Sequence, residues 1–446
     1  MYVTRCNNKE ILKSLDSPYV TALLGPRRVG KTTLVQQLAL EPGPFAQPQK
    51  KWVFLNMDAR AERLRVEADQ LDALIEERAR QKIGASPLWI VIDEAQKCPA
   101  LFEQIKLLYD RYKDQSLLKF ILTGSGFLTL HQLSAETLAG RIELHQLREF
   151  TLRETTALKT GSAVPHKIQI FDHLIDPSGL SSLKNSIEAL APFREELQRS
   201  LRELLVWGGL PEVLSFDAEQ EAEKKISYLA NYLQTYLEKD VRDIGTVADL
   251  PLYQKMMEIV AQQTGSVRED KRIVDALGCS RDTLKKYRGF LEATLVYREL
   301  YPYIGSPLKR LVKSPKGFLT NNGLISYLTG IYDLALLEKS ALIGHRFENW
   351  ALREFQTWLD RDPRRSELFF WRTSGQVEVD LVIEKNPHVL PCEVTYGSRV
   401  DPKKVKHLKQ FLQQEPRAHC GIYLYQGEFS YDPDARIIFL PAWTLG

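Results

Sequence analysis

Over the first 125 residues, short, mostly apolar runs alternate with longer stretches whose apolar residues recur every three or four positions. The runs form the bulk of 20–24, 51–56, 88–92 and 119–122, where Thr21, Lys51, Asn56 and Lys119 are the polar members. Runs of this kind suit parallel strands covered on both faces. The periodic stretches at 33–40, 60–82 and 101–112 suit helices with one buried stripe. In 60–82 that stripe is Leu64, Leu71, Leu74 and Ile75; in 101–112 it is Leu101, Ile105, Leu108 and Tyr112. Strand and helix alternate, which predicts an α/β unit with a parallel sheet and right-handed crossovers.

Farther along, the pattern changes. Residues 146–245 read as mostly helical, interrupted at 157–196 by Gly161, Pro165, Pro177, Gly179 and Pro192, which predict an irregular insertion. Stretch 224–244 carries Leu229, Tyr232, Leu233, Tyr236 and Leu237 at helical spacing, as a core stripe. Residues 250–320 read helix, helix, Gly-containing turn, helix and hairpin, with Ser280 as N-cap of the third helix and strands at 294–303 and 309–319. That order predicts a winged helix-turn-helix. Residues 331–446 open on a helix to Trp358, followed by strands around 369–372, 377–383 and 390–395, a helix at 404–412 and two further strands. The predicted domains are 1–150, 151–245, 246–330 and 331–446, a division that 446 residues accommodate.

The chemistry begins where the first strand ends. Gly25-Pro26-Arg27-Arg28-Val29-Gly30-Lys31-Thr32-Thr33 reads G-x-x-x-x-G-K-T, between a strand and a helix. In that setting the motif is a phosphate-binding P-loop. Its backbone N–H groups and the helix N-terminus attract anions. Lys31 then reaches the β- and γ-phosphates of ATP, and the Thr32 hydroxyl ligates Mg²⁺. The run at 88–92 ends in Asp93-Glu94. Two carboxylates at the end of a buried strand read as a Walker B pair, with Asp93 holding Mg²⁺ and Glu94 polarising the attacking water. The neighbouring strand ends in Thr123-Gly124-Ser125, and Thr123 or Ser125 can sense the γ-phosphate or simply make a tight turn.

Together, G-P-R-R-V-G-K-T-T at 25–33, I-D-E-A-Q at 92–96, L-T-G-S at 122–125 and L-A-G-R-I at 138–142 resemble prokaryotic AAA+-type ATPases that pair a P-loop domain with a C-terminal domain of undetermined function. The resemblance extends to the Gly208-Gly209-Leu210-Pro211 turn and to 302–316. It also takes in Asn321-Asn322-Gly323-Leu324, where members often carry Asp at the place of Asn321. It implies that Arg141 contacts phosphate, in cis or toward a neighbouring subunit of a homo-oligomer. The residues themselves allow an ordinary salt bridge equally well.

Charge adds a nucleic-acid reading. The net charge is only +3, yet residues 251–320 hold 13 Lys and Arg against 7 Asp and Glu. Arg281, Lys285, Lys286 and Arg288 on the third helix, with Lys309, Arg310, Lys313 and Lys316 on the hairpin, form the predicted DNA-binding set. The 44% hydrophobic and 26% charged residues are ordinary for a globular chain. No apolar run approaches the ~20 residues of a membrane span, and the five cysteines contain no C-x-x-C pair. A cytoplasmic protein without zinc or disulfides is expected.

Glu348 on a helix, Asp380 on a strand and Glu393 on the next strand resemble the PD-(D/E)XK nuclease core, in which acids bind Mg²⁺ and a lysine orients water. That lysine belongs two residues after the second acid, where this chain has Thr395; Lys385, Lys403 and Lys404 are candidate substitutes. The expected whole is a P-loop NTPase parallel sheet with a helical lid, a winged helix-turn-helix and a C-terminal α/β restriction-endonuclease-like domain. The expected activity is ATP hydrolysis used to bind or remodel DNA, including branched or stalled structures. A regulatory switch on a protein partner and an ATP-gated nuclease are the alternatives.

Overall fold

A computed structural model describes residues 3–40, 51–113, 117–125, 136–164, 179–217, 221–241, 247, 249–304, 313–361, 366–373, 375 and 377–445. Strands β1 (Val20–Leu24), β2 (Lys51–Asn56), β3 (Leu88–Asp93), β4 (Leu118–Gly124) and β5 (Ile142–Gln146) form one sheet in the order β2-β3-β4-β1-β5. Every pairing in it is parallel. Three of the four runs have the predicted cause; β2, at the sheet edge, buries Val53 and Leu55 but leaves Phe54 exposed. Ala22, Leu24, Ile90, Ile92 and Leu122 bury on one face, while Leu23, Val91 and Ile121 bury on the other. The strand order matters for chemistry. β4 lies between β1 and β3, so the ends of all three converge on the turn after Leu24.

The predicted helix at 60–82 is two helices, Arg60–Glu67 and Leu71–Ala79, separated by Asp69 at φ 57. The break changes the helical phase. Val66 is buried and Leu64 is 50% exposed, so Leu64 leaves the predicted stripe. The described part of 157–196 is more regular than its prolines and glycines predict. It holds the end of helix Leu152–Thr160 and all of helix Leu180–Leu190, which buries Leu183 and Leu190 fully; residues 165–178 lie outside the described residues. Helices Arg194–Trp207, Pro211–Ser215 and Ala222–Thr235 complete this helical unit, and the last passes into a π-turn at Tyr236–Asp240 instead of running on as an α-helix.

The remaining strands are β6 (Ser266–Val267), β7 (Tyr297–Pro302), β8 (Lys316–Leu319), β9 (Ser366–Arg372), β10 (Glu378–Lys385), β11 (His388–Val394), β12 (Gly421–Tyr425), β13 (Ser430–Asp432) and β14 (Ile437–Pro441). They form one nine-stranded sheet, β13-β14-β12-β11-β10-β9-β7-β8-β6. Helices Leu250–Gln262, Asp270–Leu277 and Arg281–Ala293 precede the β7–β8 hairpin, in the predicted order. The second strand of that hairpin is shorter than predicted, and residues 305–312 lie outside the described residues. The division at 330/331 is crossed by hydrogen bonding, since β7 pairs in parallel with β9 at Tyr301↔Phe369 and Pro302↔Phe370. After it come helix Ile343–Leu359, antiparallel β9, β10 and β11, helix Pro402–Gln414 and then β12 parallel to β11.

Candidate functional site

The turn after β1 is shaped by its glycines. A Cβ on Gly25 would lie 2.1 Å from the Leu147 carbonyl oxygen, so no larger residue fits. Gly30 has φ +94 and Arg28 φ 61, two left-handed positions that curl the backbone over the start of helix Lys31–Leu40. The buried Lys31 ammonium donates to the carbonyls of Gly25 at 2.9 Å and Pro26 at 2.8 Å. Arg28 lies over the Tyr228 ring, 4.9 Å from its centroid, and so touches the helical unit.

The ends of β3 and β4 supply the polar groups. Thr32 Oγ1 donates to Asp93 Oδ2 at 3.0 Å and Oδ1 at 3.2 Å. Thr123 Oγ1 donates to Asp93 Oδ1 as well. Ser125 Oγ donates to Glu94 Oε2 at 3.0 Å, and the Gln96 amide donates to the same oxygen at 2.5 Å. Glu94 itself is left-handed at φ 53, which turns the chain sharply just after the strand. Lys31, Thr32, Asp93, Glu94 and Ser125 therefore lie together at the ends of β1, β3 and β4, and Thr123 and Ser125 divide between the two carboxylates. Gln96 was not singled out, although it lies in the I-D-E-A-Q motif. Thr32 and Asp93 offer oxygen donors only, a set that suits Mg²⁺.

Arg141 is placed elsewhere. Its carbonyl accepts from Val20 N at the entry of β1, the opposite end from the P-loop. Its guanidinium grips Asp110 bidentately at 2.9 and 3.1 Å. A phosphate contact in cis is thereby excluded, and the salt-bridge alternative describes its state in this chain.

Behind the P-loop, the segment after β5 reaches β1, the helical unit, the start of helix Asn322–Thr329 and helix Ile343–Leu359 with its C-cap. Leu147 N donates to Leu24 O at 2.7 Å. Arg148 pairs with Asp360. The buried Glu149 carboxylate accepts from the Asn321 amide at 2.6 Å, Gly209 N at 3.1 Å and Arg353 at 2.9 Å. Asn321 Oδ1 meanwhile caps helix Asn322–Thr329 through Leu324 N at 2.6 Å. An Asp at 321, the residue expected from the resemblance, would set a second carboxylate against Glu149; the asparagine supplies a donor instead. Gly209 and Gly323 are fixed by crowding, because a Cβ would lie 2.6 Å from Phe150 O and 2.1 Å from Trp207 O respectively.

The predicted DNA-binding set splits. Arg281, Lys285, Lys286 and Lys313 are exposed. Arg288 is buried against Asp270 at 2.6 Å, with Glu299 at 3.7 Å, and cannot reach a ligand outside. Lys316 is likewise buried, between Glu348 at 2.9 Å and Glu378 at 2.6 Å. Lys309 and Arg310 lie outside the described residues.

The second acidic group sits where β8 meets the C-terminal strands. Lys404 Nζ lies 2.8 Å from Asp380 and 3.2 Å from Glu393, and donates to Val394 O at 2.8 Å. Of the three candidate lysines, Lys404 is the one that lies against Asp380 and Glu393. Lys385 is buried over the Trp358 ring and Lys403 is exposed. Burial pushes the Glu348 carboxyl up to about 7, against the pull of Lys316. Burial and the Asp380 charge push Glu393 well above its usual range. Burial alone would raise Asp380 also, but Lys404 and Lys316 outweigh it and hold Asp380 ionised. The three acids do not form one ligand set. Lysines stand among them, and among the described residues no group of three or more His, Cys, Asp or Glu is arranged to hold a metal.

Among the described residues, no helix is long and apolar enough to cross a membrane. Residues 17–156, the part of the chain that carries the 25–33 turn and the Asp93-Glu94 pair, match the family described as an AAA domain. Residues 198–335 and 343–445 match two families, each described as a domain of unknown function (DUF8612 and DUF4143). Uncharacterized proteins of Mycobacterium tuberculosis and Mycobacterium bovis are each 27% identical over 434 residues, covering 96% of this chain and 81% of the relative. Among solved structures, the Aeropyrum pernix ORC2 protein in its ADP form has a TM-score of 0.38 at 13% identity, over 76% of this chain and 97% of that one. A Thermotoga maritima RuvB has 0.30 at 14%, over 66% and 89%.

Proposed function

We propose that this chain binds ATP with Mg²⁺ at 25–33, hydrolyses it, and uses the hydrolysis to bind or remodel DNA through the exposed basic face of helix Arg281–Ala293. The observation that carries the reading is the convergence of Lys31 and Thr32 after β1, Asp93 and Glu94 at the end of β3, and Thr123 and Ser125 at the end of β4, on three adjacent strand ends. Lys31 exchanges its two loop carbonyls for phosphate oxygens. Thr32 and Asp93 would hold Mg²⁺, which supplies neutralisation of the β- and γ-phosphate charge. Glu94, fixed by Ser125 and Gln96, orients a water and accepts its proton as the water attacks the γ-phosphorus. The bond to the leaving β–γ bridging oxygen breaks, giving ADP and phosphate.

Arg281, Lys285 and Lys286 support the DNA part because they are exposed together on one helix. Replacing all three by alanine is expected to weaken DNA binding at every sequence and to reduce the slope of log K against log salt by about 3. Binding isotherms between 50 and 200 mM salt, about the range over which such contacts are lost, check this. ATP hydrolysis in a wild-type chain with no DNA affinity at low salt would remove the DNA reading and leave a switch acting on a protein partner.

A second reading, nucleic-acid cleavage gated by ATP, is favoured by Lys404 lying against Asp380 and Glu393. On it, Lys404 orients a water near the two acids. Nicking of plasmid DNA with Mg²⁺ or Mn²⁺ is then expected, and Asp380→Asn abolishes it. Wild-type chain that leaves plasmid intact with either ion removes this reading.

A further inference from the structure

We infer that Arg5, which lies outside every motif in the chain, is a positioning residue for nucleotide binding, holding the Val29–Gly30 peptide so that the Gly30 N–H faces the phosphate site. The inference rests on the nucleotide reading above. Arg5 is buried, and its guanidinium is engaged on every edge. Nη1 donates to the Val29 carbonyl at 2.8 Å, Nε to Glu154 Oε1 at 3.1 Å, and Nη2 to the Arg148 carbonyl. Its flat face covers the Phe150 ring at 4.8 Å.

The consequence follows from peptide geometry. In a planar trans peptide the C=O and the following N–H point in opposite directions. Because the Val29 carbonyl points at Arg5, the Gly30 N–H points away from it, toward the concave side of the loop where the motif gathers its N–H groups. Gly30 lacks a Cβ and resists rotation of this peptide weakly. Its own carbonyl is already committed to Leu34 N at 2.9 Å. Arg5 is therefore the group that fixes the orientation from outside the loop.

Arg5 is in turn fixed by Glu154. That carboxylate also accepts from Cys6 N at 2.6 Å and Thr151 N at 2.9 Å. Burial by itself would raise the Glu154 carboxyl. The charge of Arg5 and these N–H groups outweigh it and keep the carboxyl below its usual value. A lysine at position 5 retains a charge for Glu154 but lacks the planar fork that joins Val29, Arg148 and Glu154 at once.

The test uses the 446-residue chain with Arg5→Lys, and the double variant Arg5→Met/Glu154→Gln, which removes both charges of the buried pair together. Circular dichroism of nucleotide-free protein establishes folding. Titration with a fluorescent ADP analogue and Mg²⁺ gives Kd, and steady-state ATP hydrolysis gives kcat and KM. The expected result is a Kd and KM raised about tenfold, the size of one hydrogen bond to a charged group. The kcat at saturation stays within a factor of about two, because bound phosphate itself reorients the peptide. A folded variant with wild-type Kd and KM, or one whose kcat falls while Kd is unchanged, overturns the inference. Absence of binding in wild type and variants alike overturns the nucleotide reading, and this inference with it.

Discussion

Lys31→Ala is expected to abolish nucleotide-dependent activity while leaving a folded chain, with hydrolysis at saturating ATP reduced by a factor on the order of 100 or more. Groups that meet developing charge in a preorganised site contribute rate factors of about 10²–10³. In this structure the ammonium is buried and bonded to Gly25 O and Pro26 O, directly within the turn that is to hold phosphate. Alanine leaves those two carbonyls to water at the mouth of the loop, so the expected loss of stability is small, about 1–3 kcal/mol. Glu94→Gln provides the contrast. It keeps Lys31, Thr32 and Asp93, so nucleotide still binds, but the amide cannot accept the proton of the attacking water. Fluorescent-nucleotide binding and phosphate release, measured on both variants, separate the roles: the lysine variant loses both, the glutamine variant only the second. Full hydrolysis in Lys31→Ala would remove the central claim.

The second large effect is structural and lies at Glu149. Its carboxylate satisfies an asparagine amide, a backbone N–H and an arginine contributed by three regions distant in sequence. Glu149→Ala removes the acceptor of the Asn321 amide and the Gly209 N–H in a buried place, and leaves the Arg353 charge with only Glu354, at 3.7 Å. Breaking a buried ion pair by removing one partner costs about 3–5 kcal/mol. The expected outcome is a loss of that size in urea unfolding, a lower thermal midpoint, and a chain whose ATP hydrolysis no longer responds to DNA. A variant within about 1 kcal/mol of wild type would show that the crowded glycines, and not this carboxylate, hold the junction together.

The candidate nucleotide site was legible because its determinants are local. Gly25 to Thr33 is one uninterrupted motif, and Asp93-Glu94 ends a strand whose apolar run is visible by itself. The parallel sheet was legible for the same reason, since burial on both faces leaves no polar alternation to read. Arg5 and Glu149 were not legible. Each acts on residues more than 20 positions away, Arg5 on Glu154 and Glu149 on Asn321 among them, and no periodicity encodes such pairings. Counting charge misassigned Arg288, although the signal was present. Leu284, Tyr287 and Leu291 define the inner stripe of its helix, and position 288 falls on that stripe at i+4 from Leu284. Lys316 gave no comparable warning, because the acids that surround it come from the far side of a domain division drawn from the sequence. Arg141 was assigned by resemblance alone, and the strand it precedes runs toward the P-loop and not away from it.

The pairing of β7 with β9 also bears on how this chain can be divided, by a protease or by gene rearrangement. A piece ending near residue 330 would carry β7 with its β9 side unpaired, an open edge of the kind that recruits other chains. The same piece would retain Lys316 without Glu348, Glu378 and the Phe370 ring, opening to water an ammonium that the whole chain buries. The complementary piece would keep those carboxylates and lose their lysine. Neither half is thus a self-sufficient module, and an exchanged C-terminal part would have to bring both a matching strand edge and the acids that receive this lysine.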